Sequence, residues 1–289
     1  MLVRVISGIL LISIITLVYL PGGNILAGFL LLLSLIGYTE LLQAHGILSQ
    51  KSVRSVFSKK TTTDFPEEKE KNGRLLLLIG CLDIILYYVL MVFAKDPLWM
   101  FMMVVLTLIS FMLLYVFTFP KYSSDDIITA VFSFVYLPVM LSFAYMIREL
   151  PEGAFLVWFT IICSWVCDTC AYFTGVAIGK HKMAPVLSPK KSIEGAIGGV
   201  VGSAIVGFIF GYFAGPYMDI PGAMWLFPVL GAAGGAFSQI GDLAASGIKR
   251  NKGIKDYGDL IPGHGGIMDR FDAFIFVTPV IYIFARIFM

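Results

Sequence analysis

Residues 241–272 read GDLAASGIKRNKGIKDYGDLIPGHGGIMDRFD and form a strongly polar block near the end of an otherwise apolar chain. The block holds five aspartates and five Lys or Arg residues, and it joins two apolar runs at 222–248 and 270–288. Charge beside long apolar helices is costly unless it is paired, hydrated or bound to a ligand. The block therefore indicates a functional site at a membrane surface, with an ordinary solvated loop as the alternative.

The composition predicts an integral membrane protein. Of the 289 residues, 58% are hydrophobic and 14% are charged, whereas soluble domains carry about 25% charged residues. A helix that crosses a membrane needs about 20 apolar residues. Runs of roughly this length occur at 2–20, 25–44, 74–94, 98–119, 127–148, 154–178, 195–215, 222–248 and 270–288. We therefore predict an all-α, polytopic fold with about nine transmembrane helices, although two neighbouring runs could be half-spans.

The positions of Lys and Arg predict the topology, because basic residues collect in cytoplasmic loops. With the N-terminus inside, all but three of the 21 basic residues fall on the cytoplasmic side, the exceptions being Lys95, Arg148 and Arg286. This topology gives the protein a polar cleft that faces the cytoplasm. The net charge is only +2 and no basic domain is visible, which argues against nucleic acid as a partner.

Three regions are predicted along the chain. Residues 1–120 hold the N-terminal transmembrane helices, with a cytoplasmic linker at 45–73 that mixes Ser, Thr, Lys and Glu around Pro66. Residues 121–150 form a connecting transmembrane helix. Residues 151–289 form a C-terminal membrane domain, which we expect to be catalytic because it contains the conspicuous polar blocks.

Helical spacing groups the acids of the polar block. Asp242, Ser246 and Lys249 fall at i, i+4 and i+7, and they share one face if the preceding helix continues through them. Asp269 and Asp272 fall at i and i+3, and we expect them on the first turn of the last helix. Carboxylates in such sets suit a hard divalent cation.

A glycine-rich loop with the sequence PGHGG lies between these two sets, at 262–266. Its glycines let the backbone come close to a ligand and turn N–H groups toward phosphate oxygens. Cations near such a loop bind phosphate as well. The block as a whole therefore has the composition of a nucleotide site.

A second polar loop precedes the apolar run at 195–215 and contains Ser188, Lys190 and Lys191. Helix N-termini with nearby lysines bind anions well, so this loop fits a phosphate. The alternative is a lysine cluster that binds anionic lipid head groups. Asp168 lies within an earlier apolar run, and we expect it either in the same cleft or in a hydrogen bond between helices.

Several other polar or small residues lie inside the apolar runs. Glu40 and Asp83 are either hydrogen-bonded structural groups or residues at the edge of a polar cavity. Cys163, Cys167 and Cys170 are expected to pack as small hydrophobic residues, because no second Cys pair or nearby His completes a metal or redox site. Glycine pairs at small-xxx-small spacing in the seventh and eighth runs predict close helix packing.

The two polar regions resemble the signature of the phosphatidate cytidylyltransferase (CDP-diacylglycerol synthase) family. The main match consists of Ser246-x-Ile248-Lys249-Arg250, Lys255-Asp256, Gly258, Ile261-Pro262, His264-Gly265-Gly266-Ile267 and Asp269-Arg270-Phe271-Asp272. Two further strings are similar to secondary elements of the family, Asp168-Thr169-x-Ala171-Tyr172 and Ser188-Pro189-Lys190-Lys191-Ser192-x-Glu194-Gly195. So many positions at set spacings are more specific than a single glycine motif.

The resemblance implies a reaction and a setting. CTP and phosphatidate would give CDP-diacylglycerol and pyrophosphate in phospholipid biosynthesis. The enzyme would be a homodimer among membrane lipids, in the bacterial inner membrane, with its active site facing the cytoplasm.

The resemblance also implies roles for individual residues. Asp242 and Asp269 would bind Mg²⁺, and the catalytic residues would be Asp242, Asp269, Ser246, Lys249 and His264. Substrate would be bound by Asp168, Ser188, Lys190, Lys191, Arg250, Lys255, Asp256, Gly265, Gly266, Arg270 and Asp272. Ala245 departs from the family, whose members often carry Glu just before the signature serine, so the presence of a second cation stays open.

Two other functions fit parts of the pattern. A related CTP-using membrane enzyme, such as a polyprenol kinase or a synthase acting on ether lipids, would use a similar site, and a kinase would release CDP instead of pyrophosphate. A transporter would place acids along a polar pathway near the bilayer midplane. In this chain the charges gather at one predicted face.

Overall fold

The computed structural model of the chain describes residues 2–49, 66–94 and 96–288. In this part of the chain the structure is almost entirely helical and has one sheet of two short strands, which confirms the predicted all-α class. Of the predicted linker at 45–73, residues 50–65 lie outside the described residues.

The helices of the first half are α1 (Leu2–Tyr19), α2 (Gly23–Ala44), α3 (Glu67–Phe93), α4 (Pro97–Thr118) and α5 (Ser124–Phe134). Local signals set two of their starts. The Asp96 side chain accepts a hydrogen bond from the Leu98 N–H at 2.9 Å, and Pro97 is the first residue of α4. Ser123 and Asp126 form a capping box at the start of α5.

A π-helical turn at Val135–Val139 follows α5 and contains Pro138, which has no N–H to donate to a regular helix. The second half then consists of α6 (Met140–Arg148), α7 (Gly153–Ile178), the strands β1 (Lys182–Ala184) and β2 (Ser188–Ser192), α8 (Ile193–Ala214), a 3₁₀ turn (Gly215–Tyr217), α9 (Ala223–Asn251), α10 (Met268–Phe271) and α11 (Phe274–Phe288). The strands pair in antiparallel fashion and form a hairpin.

Among the described residues, seven helical segments are long and apolar enough to cross a membrane. They coincide with the seven predicted runs between residues 25 and 248. The first and last predicted runs contain shorter apolar helices, Ser7–Tyr19 and Phe274–Phe288. The latter has 15 residues and is about 22 Å long, less than the roughly 30 Å of a bilayer core. The chain is an integral membrane protein, and the count of nine crossings stays a prediction.

Contacts divide the chain into two compact units. The first unit comprises Met1–Val18, Asn24–Ser142 and Ile254–Arg270, and the second unit comprises Tyr19–Gly23, Phe143–Gly253 and Phe271–Met289. The loop at 262–266 thus clusters with the N-terminal helices. The division into three regions that we predicted from the sequence stays a prediction.

In the second unit, α8 packs against α7 and α9 through glycines. A Cβ on Gly199 of α8 would lie 2.9 Å from the Cys167 carbonyl oxygen of α7. A Cβ on Gly235 of α9 would lie 2.9 Å from the Ser203 hydroxyl of α8. Only glycine lets these backbones come so close, which confirms the predicted role of the glycine pairs.

In the first unit, hydroxyl groups connect the buried faces of the helices. Ser34 of α2 bonds the Tyr88 hydroxyl of α3 at 2.9 Å, and that hydroxyl also donates to the Pro138 carbonyl oxygen at 3.3 Å. The Tyr87 hydroxyl bonds Ser142 at 2.9 Å. Buried polar groups need such partners, so these bonds fix α2 and α3 against the π-helical turn and the start of α6.

Candidate active site

The second unit contains a cleft of about 560 Å³ beside the β1–β2 hairpin, which we call the hairpin cleft. α7, the hairpin, the start of α8 and α9 contribute its walls. The lining includes five of the residues predicted to bind substrate or metal, namely Asp168, Ser188, Lys190, Lys191 and Asp242. The fold therefore brings the second polar loop and the first acid of the 241–272 block to one place.

Lys191 and Asp242 form an ion pair in the hairpin cleft. Their side chains are 24% and 30% exposed, so the pair is partly shielded from water. Shielding strengthens the attraction relative to an exposed surface pair. The Lys191 side chain of β2 thus contacts Asp242, which the sequence predicts to be a metal ligand.

Asp272 adds a second carboxylate to this part of the second unit. Its burial, and then the nearby charge of Asp242, raise the pKa of Asp272 to about 7, while Lys249 acts in the opposite direction. Gly241 permits the approach, because a Cβ there would lie 2.5 Å from the Asp272 carbonyl oxygen. Neighbouring carboxylates with a raised pKa are typical of sites that bind a cation.

The last part of α9 carries the next predicted residues. α9 is continuous through this region, so Asp242, Ser246 and Lys249 share a face as predicted. The Arg250 Nε donates to the Leu187 carbonyl oxygen at 3.5 Å, which connects the end of α9 to the turn of the hairpin. One helix thus presents an acid, a hydroxyl and a cation in a single row.

The hairpin is fixed to the start of α8 by two side chains. The Ser192 hydroxyl accepts a hydrogen bond from the Gly195 N–H at 3.1 Å and caps the helix. Glu194 accepts N–H bonds from Lys180 and His181 at 3.1 and 3.2 Å, and its other oxygen lies 2.6 Å from the His181 Nδ1. These hydrogen bonds therefore fix the backbone that carries the lysines of the hairpin.

Gln239 is a buried residue of the cleft that the sequence analysis missed. Its side-chain amide donates to the Ala196 carbonyl oxygen at 2.9 Å and to the Cys167 sulfur at 3.4 Å. Its position three residues before Asp242 on the same helix was the available signal. Cys163 and Cys167 are buried free thiols, as predicted, and Cys167 packs against this amide.

In the first unit, residues 257–269 form a loop, the glycine loop, around the Asp269 carboxylate. The Asp269 Oδ2 accepts hydrogen bonds from the N–H groups of Tyr257 at 2.8 Å and Gly266 at 3.1 Å, and Asp269 is only 7% exposed. Gly265 has a φ of +83°, and a Cβ there would lie 2.8 Å from the same oxygen. Asp269 thus organises the loop backbone, and its predicted role as a metal ligand stays a prediction.

Other N–H groups of the glycine loop also donate inside the protein. Those of Ile267 and Met268 donate to the Glu40 carboxylate at 3.0 and 2.9 Å. The sequence left the role of Glu40 open, and the structure makes it a hydrogen-bonded acceptor. Substrate binding by Gly265 and Gly266 stays a prediction.

His264 is held by the first helix. The Ser7 hydroxyl of α1 lies 2.7 Å from the His264 Nδ1, and the His264 N–H donates to the Ile261 carbonyl oxygen at 2.9 Å. The ring therefore has a defined position at the tip of the loop. The predicted substrate residues that lie at the surface of this unit are Lys255, Asp256 and Arg270.

The expectation that Asp269 and Asp272 begin the last helix is wrong. Asp269 lies in α10, a helix of four residues, and α11 begins at Phe274. The Asp272 Oδ1 accepts a hydrogen bond from the Ala273 N–H at 2.8 Å, and such local side-chain bonds compete with helical ones. Asp269 therefore lies in α10, and Asp272 lies in the turn before α11.

A comparison with known families covers both units. A model described as the cytidylyltransferase family matches residues 2–288. The chain belongs to the cytidylyltransferase family. Its family relatives include staphylococcal proteins named phosphatidate cytidylyltransferase.

Two of these relatives align with this family member over nearly their whole length. The Staphylococcus epidermidis protein is 33% identical and the Staphylococcus haemolyticus protein is 32% identical, each over 97% of both chains. The Staphylococcus saprophyticus protein is 36% identical over 56% of this chain, and that alignment spans 60% of the relative.

The donor atoms of this cytidylyltransferase-family chain fit a magnesium ion. Among the described residues, no group of three or more His, Cys, Asp or Glu side chains is placed to hold a metal alone. Mg²⁺ in nucleotide sites is usually bound by one or two carboxylates together with substrate phosphates and water. The neighbouring carboxylates of Asp242 and Asp272 supply hard oxygen ligands of this kind.

Proposed function

We propose that the chain is a CTP:phosphatidate cytidylyltransferase, which transfers CMP from CTP to phosphatidate and releases pyrophosphate. The observation that carries the proposal is the hairpin cleft, where the Lys191–Asp242 ion pair lies beside Lys182 and Lys190. Two relatives that align over nearly the whole chain are named phosphatidate cytidylyltransferase, which supports the same activity.

The chemistry requires little proton transfer. A phosphate oxygen of phosphatidate attacks the α-phosphorus of CTP, a new anhydride bond forms, and the bond to the bridging oxygen of pyrophosphate breaks. A phosphomonoester has a second pKa of about 6, so the attacking group is mostly ionised near neutral pH and needs no strong base. The protein has to neutralise the phosphates and align the reacting groups.

The residues of the second unit suit these two tasks. Lys182, Lys190 and Lys191 provide cations for phosphate groups in the cleft. Asp242 and Asp272 would hold Mg²⁺, which, when bound, offsets the negative charge that develops on pyrophosphate. Asp168 and Ser188 line the same cleft and can orient the nucleotide or the lipid phosphate.

Further predicted residues lie at the end of α9 or in the first unit. Ser246, Lys249 and Arg250 continue the polar face of α9 and would contact phosphate oxygens. For Lys255, His264 and Arg270 of the first unit, phosphate contacts rest on the family resemblance. We assign His264 a positioning role, because the reaction requires no strong general acid or base. Ligation of the metal by Asp269 rests on the family resemblance.

The membrane setting completes the proposal. We propose nine crossings in the inner membrane of a bacterium, with the hairpin cleft open to the cytoplasm, where CTP is found. The distribution of basic residues supports this orientation. The homodimer expected from the resemblance would be measured by light scattering of the detergent-solubilised protein.

The test is to identify both products. Purified protein in detergent is incubated with CTP, Mg²⁺ and phosphatidate, and the lipid and the soluble fraction are analysed by mass spectrometry. We expect CDP-diacylglycerol and pyrophosphate in equal amounts. Release of CDP with a newly phosphorylated lipid would instead identify a lipid kinase and overturn the proposal.

A further inference from the structure

Glu40 is a buried acid in an apolar helix, far along the chain from the polar block. It lies near the end of α2 and is 5% exposed. Its two carboxylate oxygens accept separate hydrogen bonds, Oε1 from the Ile267 N–H at 3.0 Å and Oε2 from the Met268 N–H at 2.9 Å. Such charge-assisted bonds are stronger than bonds between neutral groups. The carboxylate therefore holds the backbone directly before Asp269.

Two glycines of the first unit make room for this carboxylate. A Cβ on Gly258 would lie 2.5 Å from the Glu40 Oε1, and a Cβ on Gly266 would meet the same atom. Neither position has another atom closer than this acid. The glycine loop thus surrounds the Glu40 carboxylate on two sides and also donates hydrogen bonds to it.

A series of hydrogen bonds connects α2 to the glycine loop. Glu40 fixes the two residues that precede Asp269, and Asp269 in turn accepts hydrogen bonds from the N–H groups of Tyr257 and Gly266. The start and the end of the loop are thereby connected to one acid of an N-terminal helix. The position of α10, with Asp269 and Arg270, depends on that acid.

We propose that Glu40 is a positioning residue for the nucleotidyl transfer. It touches neither substrate, and it acts by holding the glycine loop and the start of α10, which carry His264 and Arg270, in the conformation that the reaction requires. This inference rests on the proposed function. It makes the N-terminal helices part of the catalytic machinery and not only a membrane anchor.

The substitution Glu40→Gln tests the proposal with almost no change in volume. A glutamine carbonyl can accept one N–H, but its NH₂ group meets the other N–H as a second donor. We expect backbone N–H exchange in peptides that contain Ile267 and Met268 to become about tenfold faster. We expect kcat/KM for CTP to fall about 10- to 100-fold, because small displacements of positioning groups cost rate. The KM for phosphatidate should change little.

Asp83→Asn is the matched control. Asp83 is another acid in an apolar helix of the first unit, and its carboxylate accepts a hydrogen bond from Ser110 at 2.9 Å instead of from the glycine loop. The Asp83→Asn variant should keep the kcat/KM for CTP and the backbone N–H exchange rate in the glycine loop of the unchanged protein. Glu40→Asp keeps the charge and should recover part of the lost kcat/KM, which a role in folding alone does not predict.

Gly258→Ala disturbs the contact between Glu40 and the glycine loop by a change in the loop. The added methyl group would press on the Glu40 carboxylate, so this variant should reproduce the exchange and kinetic pattern of Glu40→Gln even if Glu40→Gln folds poorly.

The outcomes separate this inference from the proposed function. If the unchanged protein turns over CTP and the folded Glu40→Gln and Gly258→Ala variants keep normal kcat/KM and loop exchange, the positioning role is wrong and the function stands. If the variants only melt at lower temperature with unchanged kcat/KM, Glu40 is merely structural and the inference also fails. An unchanged protein that forms no CDP-diacylglycerol contradicts both.

Discussion

The acids beside the hairpin cleft and those that hold the glycine loop have different partners. Asp242 forms an ion pair with a lysine, and the pKa of the neighbouring Asp272 carboxyl is raised by burial and then by the charge of Asp242. Glu40 and Asp269 accept backbone N–H groups and are almost fully buried. A carboxylate surrounded by amides holds a backbone in place, whereas one that lies near cations and other acids beside a cleft is suited to binding a metal ion. Buried carboxylates therefore hold the backbone in the first unit, and we propose that carboxylates of the second unit bind a metal ion.

The largest expected effect comes from the cleft acid. Asp242→Asn keeps the shape of the side chain and removes its charge, so kcat should fall about 10²- to 10³-fold, as when a single electrostatic group is removed from an active site. The melting temperature should stay close to that of the unchanged protein. Asp219→Asn is the control, since Asp219 is an exposed acid of the same unit outside the cleft lining. Near-normal kcat for Asp242→Asn would show that the acid of the hairpin cleft does not take part in the reaction.

Lys191→Met tests the partner of that acid. Loss of the cation should raise the KM for CTP and lower kcat/KM about 10- to 100-fold, because charge-assisted contacts with phosphate are lost. Combining it with Asp242→Asn should cost less than the sum of the two single effects, since paired residues are coupled. Lys252→Met, at an exposed lysine just after α9, should have little effect. Strictly additive losses would show that the pair does not act as a unit.

Asp269→Asn should differ in kind from Asp242→Asn. The asparagine keeps one oxygen for the N–H groups of Tyr257 and Gly266 but loses the charge that strengthens both hydrogen bonds, so we expect a loss of about 2 kcal/mol in the free energy of unfolding, measured by thermal denaturation in detergent. Activity should fall together with stability. A variant that melts normally would contradict the scaffold role. A higher Mg²⁺ requirement in the folded variant would support the predicted metal role in addition.

The smallest effect concerns pH. The pKa of Asp272 is raised to about 7 from its ordinary value near 3.8, so the folded chain keeps a proton that the unfolded chain has already lost. Stability from this group is therefore present at low pH and falls as pH rises toward that value. With a chelator present, the melting temperature of Asp272→Asn relative to the unchanged protein should increase from about pH 5 to about pH 8. A difference that is constant with pH would contradict the raised pKa.

Much of this architecture could be predicted from the sequence, because apolar runs and helical spacing are local signals. The seven long spans, the shared face of Asp242, Ser246 and Lys249, and the glycine packing of α8 all follow from such spacing. The break before α11 was missed, since it depends on one hydrogen bond from Ala273 to the Asp272 side chain.

The role of Glu40 could not be predicted for a different reason. Its partners, Ile267 and Met268, lie more than two hundred residues further along the chain. The hydrogen bonds come from backbone N–H groups, so the types of these two residues do not reveal them. Gln239 was missed because an amide in an apolar helix is usually read as a packing residue, although its spacing from Asp242 pointed to the cleft.

Nucleotidyl transfer is tested most directly by following the individual phosphates of CTP. Purified protein is given phosphatidate, Mg²⁺ and CTP that carries labelled phosphorus at either the α or the γ position. Nucleotidyl transfer in the cleft predicts that the α label enters the lipid and that the γ label leaves as pyrophosphate. Appearance of the γ label in the lipid, or of neither label, would show that the protein does not transfer CMP to phosphatidate.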